Sequence, residues 1–214
     1  MSSTVFRDHF SGFSHLFGAI MAIAGLCVLV AQATLYGDAW HIVSFAIFGT
    51  CMILMFAAST VYHLVNAKEH VILLLKRIDH MAIFIMIAGT YTPICLVPLR
   101  GTTGWLLFGI VWGLAIAGIF MKAFWIGAPR WLSTVIYLGM GWISVFAIPP
   151  LLDTAVPEVL DWLIYGGICY TLGAVNYATK WPDPWPKHFG FHEIWHLFVM
   201  GGAFCHFMAV LYLV

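Results

Sequence analysis

The sequence predicts an all-α polytopic membrane protein with seven transmembrane helices, its N-terminus cytoplasmic and its C-terminus outside. Three observations carry that expectation: an apolar composition, seven apolar runs of helical length, and a one-sided distribution of basic residues. Of 214 residues, 63% are hydrophobic and 8% charged, with nine basic and nine acidic residues in balance. A soluble domain carries about 25% charge, and a globule this apolar lacks the polar residues to cover itself in water. The composition excludes a soluble enzyme, a disordered chain and a nucleic-acid binder that works through a basic field. Ten Trp and seventeen Phe suit lipid-facing and interfacial surfaces.

A bilayer core needs about 20 apolar residues in helical form, because lipid offers no partner to an open backbone group. Such runs fall at 13–36, 41–65, 79–98, 104–121, 131–151, 159–179 and 191–213. Between them lie Gly37-Asp38, the segment Asn66 to Arg77, Arg100-Gly101, Lys122 to Arg130, Pro149 to Glu158, and Lys180 to Gly190. The run from Phe13 is too long for a signal-peptide core and lacks a clear cleavage site, so it is expected to persist as the first helix. No soluble domain remains, and residues 1–214 are expected to form a single seven-helix transmembrane domain.

With a cytoplasmic N-terminus, the inside segments hold Arg7, Lys68, Lys76, Arg77, Lys122, Arg130, Lys180 and Lys187, and the outside holds only Arg100. That asymmetry is a strong positive-inside signal. The orientation is opposite to that of G-protein-coupled receptors. Cys27, Cys51, Cys95, Cys169 and Cys205 sit singly in apolar runs with no CxxC pair, and read as small buried hydrophobes.

Ionisable groups in spanning helices cost roughly 2.5–3.5 kcal/mol each on insertion scales, so each one marks a functional candidate. Here they gather at one depth. His15 lies near the cytoplasmic start of the first run, and Ser59 and His63 near the cytoplasmic end of the second. Asp79 and His80 lie near the start of the third, and His192, Glu193 and His196 near the start of the seventh. Ser59 and His63 are four residues apart, as are His192 and His196, so each pair shares a helix face.

Two imidazoles so spaced can bind one metal ion, and a third from another helix leaves a fourth position open. That is the geometry of catalytic rather than structural zinc. Imidazole ligands without nearby Cys point to Zn²⁺ rather than a soft metal. His192-Glu193-Ile194-Trp195-His196 also matches the HExxH pattern of zinc proteases, but no third ligand follows downstream and the surrounding helix is apolar. Glu193 lies about 100° around the helix from His192, which suits a supporting or interfacial place.

His80 points about 100° away from Asp79, so one of them faces the site squarely, and Asp79 is the stronger candidate. His15 is divided between lining the site and starting a helix. His206 is about 15 Å along the axis from His196, too far for the same ion, and is expected to pack or line a deeper cavity. His9, His41, His70 and His188 fall at the interface as solvated groups. Gly89-Thr90-Tyr91-Thr92-Pro93 reads as a kinked, closely packed stretch of helix.

These strings together resemble a known family. Ser59-Thr60-Val61-Tyr62-His63, Lys76-Arg77-Ile78-Asp79-His80 and Ala88-Gly89-Thr90-Tyr91-Thr92-Pro93 are similar to motifs of the hemolysin III proteins. So are Tyr137-Leu138-Gly139-Met140-Gly141-Trp142 and the closing stretch from Phe189 to His196, with Gly201-Gly202 and Cys205-His206 beyond it. Hemolysin III is the prokaryotic branch of the progestin and adipoQ receptor (PAQR) family, also called membrane homeostasis proteins. The resemblance covers essentially the whole chain.

It implies a zinc ion near the cytoplasmic side, with His63, His192 and His196 as metal ligands, Asp79 as the carboxylate beside zinc-bound water, and Ser59 one turn before the first ligand. It also implies a bacterial inner-membrane location. The wider superfamily includes alkaline ceramidases. The sequence lacks the long N-terminal domain of the adiponectin receptors, so adipokine binding does not transfer.

The expected function is therefore a zinc-dependent intramembrane hydrolase of a lipid amide or ester, ceramidase-like and contributing to membrane lipid homeostasis. Asp79 would accept and pass on the water proton, and Ser59 would hold the water or the developing oxyanion. Membrane lipids are the expected partners, and nucleic acid is not. The alternative is a non-enzymatic sensor or homeostasis protein with a structural zinc. A pore-forming cytolysin is less favoured, because no amphipathic inserting segment is present.

Overall fold

The computed structural model describes residues 7–185 and 189–214 and is helical almost throughout. Its elements are α1 (His9–Tyr36), α2 (Ala39–Leu64), α3 (Glu69–Leu96), α4 (Thr102–Phe124), α5 (Arg130–Trp142), a 3₁₀ segment (Ile143–Ala147), α6 (Ile148–Thr154), α7 (Pro157–Thr179) and α8 (Phe191–Leu211). With α5, the 3₁₀ segment and α6 taken as one, these make seven helical passes among the described residues. Five segments are long and apolar enough to cross a membrane: α1, α2, α4, Trp131–Thr154 and α8. The other two are α3, with Lys76, Arg77 and Asp79 in its first half, and α7, with Glu158 and Asp161 at its start. Of the basic residues in the orientation argument, Lys187 lies outside the described residues, as does His188.

Local chemistry sets the helix ends. Asp8 caps α1 by accepting from the Ser11 N–H at 3.2 Å. Asp38 caps α2 reciprocally with His41, so each supplies an oxygen or nitrogen to an otherwise orphaned donor. Pro157 opens α7, where its missing N–H costs nothing. α3 starts at Glu69, ten residues before the expected 79. The stretch from Glu69 to Arg77 is rich in Leu and charged helix formers, so it stays helical although too polar for lipid.

The fifth pass is interrupted rather than continuous over 131–151. Pro149 and Pro150 have no N–H to give to carbonyls one turn back, so the regular ladder fails just before them and tightens into the 3₁₀ segment. The phenol of Tyr91 on α3 answers this, donating toward the carbonyls of Met140 and Gly141, 2.8 Å from each.

α3 is the wall between two cores. Ala82 and Met86 pack with Leu29, Phe45, Phe48, Phe56, Val199 and Val210 from α1, α2 and α8. Phe84, Ala88 and Tyr91 pack with Leu107, Val111, Met140, Leu151 and Val159 from α4 to α7. The outer faces are apolar too, with Phe17, Ile20, Leu106, Phe120, Phe146 and Phe204 each more than half exposed. A continuous rim of that kind is stable against lipid and not against water.

Candidate metal centre

The centre forms where the C-terminal end of α2 meets the N-terminal end of α8, beneath the start of α1. His63 sits in the last turn of α2, and the chain just before α1 closes over that end. The Asp8 N–H donates to the His63 carbonyl at 3.0 Å. The Arg7 guanidinium donates to the Tyr62 carbonyl and lies over the Tyr62 ring, 4.2 Å from its centroid. Two carbonyls that a helix end leaves without partners are thereby satisfied. On α8, Glu193 accepts from the Gly190 N–H at 2.7 Å, and Asp183 accepts from the Phe191 N–H at 3.0 Å.

These ends bring His63, His192 and His196 together, with one ligand atom from each lying within 4.8 Å of the others. Ring centroids are 5.1 Å apart for His63 and His192, 4.9 Å for His63 and His196, and 4.8 Å for His192 and His196. The Nε2 atoms of His63 and His192 face each other at 3.4 Å. Two Zn–N bonds of about 2.0–2.1 Å in a tetrahedral site place their nitrogens roughly 3.4 Å apart. The donor set and its spacing therefore fit a first-row divalent ion bound by imidazole. His63 and His196 are buried, and His192 is half-buried, leaving one side of the triad more open.

Asp79 lies beside this triad but is not one of its three. Its carboxylate accepts a hydrogen bond from Ser59, its Oδ2 lies 3.6 Å from the His80 Nδ1, and its side chain is 15% exposed. The same His80 Nδ1 is 2.7 Å from the Lys76 carbonyl, so this ring is shared between its own helix and the Asp79 carboxylate. His15 is buried and stacks on His196 at 3.7 Å between centroids, with neither ring nitrogen in a hydrogen bond. It thus lines the site. His206 packs against Tyr170, 5.4 Å between centroids, far along α8 from the triad.

Two residues absent from the sequence-derived site belong to its surroundings. The Asp8 Oδ2 is 3.0 Å from the His63 Nδ1, and the Ser11 hydroxyl donates to Glu193 Oε1 at 3.3 Å. Burial alone would raise the Asp8 carboxyl, but hydrogen bonds from His63 and Ser11 outweigh that and hold it at about 2. The sequence signal available was Asp8-His9-Phe10-Ser11 ahead of an apolar run, which reads as a helix cap and nothing more.

Comparison with known proteins finds similarity across almost the full length. The family model described as "Haemolysin-III related" matches residues 3–207. A hemolysin-3 homolog of Bacillus subtilis is 41% identical over 209 residues, covering 98% of this chain and 95% of that protein. Hemolysin-3 of Bacillus cereus is 38% identical over 214 residues, covering 100% and 94%. A human protein called monocyte to macrophage differentiation factor is 27% identical over 206 residues, covering 92% and 80%. Such coverage, on a chain whose helices present apolar outer faces, means that this integral membrane protein belongs to the haemolysin-III related family.

Proposed function

We propose that the chain is a zinc-dependent hydrolase of a lipid amide or ester, resident in the bacterial inner membrane and serving membrane lipid homeostasis. The observation that carries this reading is a three-imidazole cluster, two of its rings buried and one half-buried, with a serine-bound carboxylate beside it. A structural zinc site fills all four positions with protein side chains, whereas three His ligands leave one position for reacting groups. Zinc, when bound, supplies Lewis acidity for water activation.

The chain's own residues do the rest. His63, His192 and His196 hold the ion, and Asp79 takes a proton from the attacking water. As the carbonyl carbon gains the water oxygen and the C–N or C–O bond breaks, Asp79 hands the proton to the departing amine or alcohol. Ser59 donates to the Asp79 carboxylate and keeps it directed at the site. The apolar outer faces of the helices suit a substrate that arrives sideways from lipid.

The test is metal content of detergent-purified protein, wild type beside His63→Ala and His192→Ala, followed by turnover of lipid amides and esters. The expected result is stoichiometric zinc in wild type, lost in both variants, and hydrolysis only by the metal-loaded wild type. Zinc binding that changes thermal stability while no amide or ester is cleaved would replace this reading with the sensor. Dye leakage from liposomes would replace it with the cytolysin that the name of the Bacillus cereus relative describes.

A further inference from the structure

A histidine that ligates a metal through one nitrogen must carry its proton on the other. For His63 the structure separates the two atoms cleanly. Nε2 faces the Nε2 of His192 at 3.4 Å, and Nδ1 faces the Asp8 carboxylate at 3.0 Å. An ionised carboxylate only accepts, so the contact requires the proton on Nδ1 and leaves the Nε2 lone pair free. From this geometry, and resting on the proposed metal centre, we infer that Asp8 is the positioning residue of the site. It holds the His63 imidazole in the tautomer and orientation that presents Nε2 to the ion.

The Asp8 carboxylate is itself held in place. One oxygen accepts from Ser11 N–H at 3.2 Å and so belongs to the N-terminal turn of α1, and the other reaches His63. The Asp8 N–H bonds the carbonyl of the same histidine at 3.0 Å, and neighbouring Arg7 clamps the Tyr62 carbonyl. Side chain and backbone therefore grip one residue of α2 from 55 positions away. Carboxylates behind metal-bound imidazoles fix ring orientation and raise ligand basicity, and losing one costs roughly 10–100-fold in metal affinity. Docking of residues 7 and 8 and ligation by His63 thus act as one unit: whatever lifts this segment off α2 frees the histidine to turn.

The rival explanation is that Asp8 only caps α1. Asp8→Asn and Asp8→Ser separate the two roles, because Asn and Ser cap about as well as Asp. Asn, however, offers an amide donor to Nδ1 and favours the proton on Nε2, and Ser is too short to reach the ring. Zinc affinity is measured by chelator competition on detergent-solubilised wild type and both variants. The Co²⁺ absorption spectrum and the ¹⁵N shifts of metal-free His63 are recorded beside it. The expected result is a 10–100-fold weaker zinc affinity and an altered cobalt spectrum in both variants, with metal-free melting unchanged. In wild type His63 carries its proton on Nδ1, and the Asn variant moves it. Wild-type affinity in both variants, or an Nε2–H tautomer in wild type, overturns this inference alone. A wild type that binds no zinc overturns the metal centre and this inference together.

Discussion

The Glu193 carboxylate turns back to the Gly190 N–H at 2.7 Å instead of toward the imidazoles of His192 and His196 on either side of it in sequence. Its other oxygen accepts from Ser11 on α1. In a zinc protease the Glu of HExxH is the general base; here it closes the first turn of α8 and ties that turn to α1. Glu193→Gln keeps an acceptor for Gly190, as in a capping box, and is expected to keep near wild-type turnover. Loss of a general base would cost about 10²–10⁴-fold. Turnover of the two proteins at equal metal loading decides between them.

Asp79 carries the opposite expectation. Asp79→Asn preserves shape but cannot take a proton, so hydrolysis of the lipid amide or ester should fall by roughly 10²–10⁴-fold while bound zinc stays at the wild-type level. Ser59→Ala removes one hydrogen bond to that carboxylate and should cost about tenfold, the equivalent of a single charge-assisted bond. Metal analysis and turnover on the same samples check both. A variant that lost zinc and activity together would mean that Asp79 serves binding rather than proton transfer.

The break in the fifth pass depends on one phenol. Tyr91→Phe leaves the carbonyls of buried Met140 and exposed Gly141 without the donor 2.8 Å away. The expected loss is about 1–3 kcal/mol, read as a lower melting temperature in detergent with zinc content unchanged. Unchanged melting would mean that the 3₁₀ segment satisfies itself.

Two glycines of α4 offer a contrast within one helix. A Cβ at Gly104 would run into the main-chain carbonyls of Cys95 and Leu99, which cannot swing aside as a side chain can. Gly104→Ala should therefore destabilise by about 1–3 kcal/mol or prevent folding. Gly109 faces open space, and Gly109→Ala should be neutral or stabilising by up to about 1 kcal/mol through helix propensity alone. Thermal melting of the pair separates crowding from a general intolerance of substitution in α4.

Much of this protein is local, and local features are legible in a sequence. The lengths of the apolar runs, the one-sided basic residues and the four-residue spacings of Ser59–His63 and His192–His196 all follow from helix geometry and the thickness of a bilayer. Element ends were less legible. α3 runs ten residues further toward its N-terminus than the apolar run, because leaving lipid does not end a helix. Pro149-Pro150 marked an end to the fifth run, whereas the chain carries them inside it by tightening the turn before them.

Sequence by itself determined the all-helical membrane class, the seven passes and the inventory of imidazoles at one depth, because each depends on neighbours along one helix. Tertiary structure alone decided which partners those groups meet. His15 stacks on His196 across α1 and α8, and Asp8 spends one oxygen on its own helix and the other on a histidine 55 residues away. An aspartate ahead of a helix is fully explained by its cap, so nothing in the sequence signals its second bond. Contacts between helices depend on how whole surfaces pack, and no local periodicity encodes that choice.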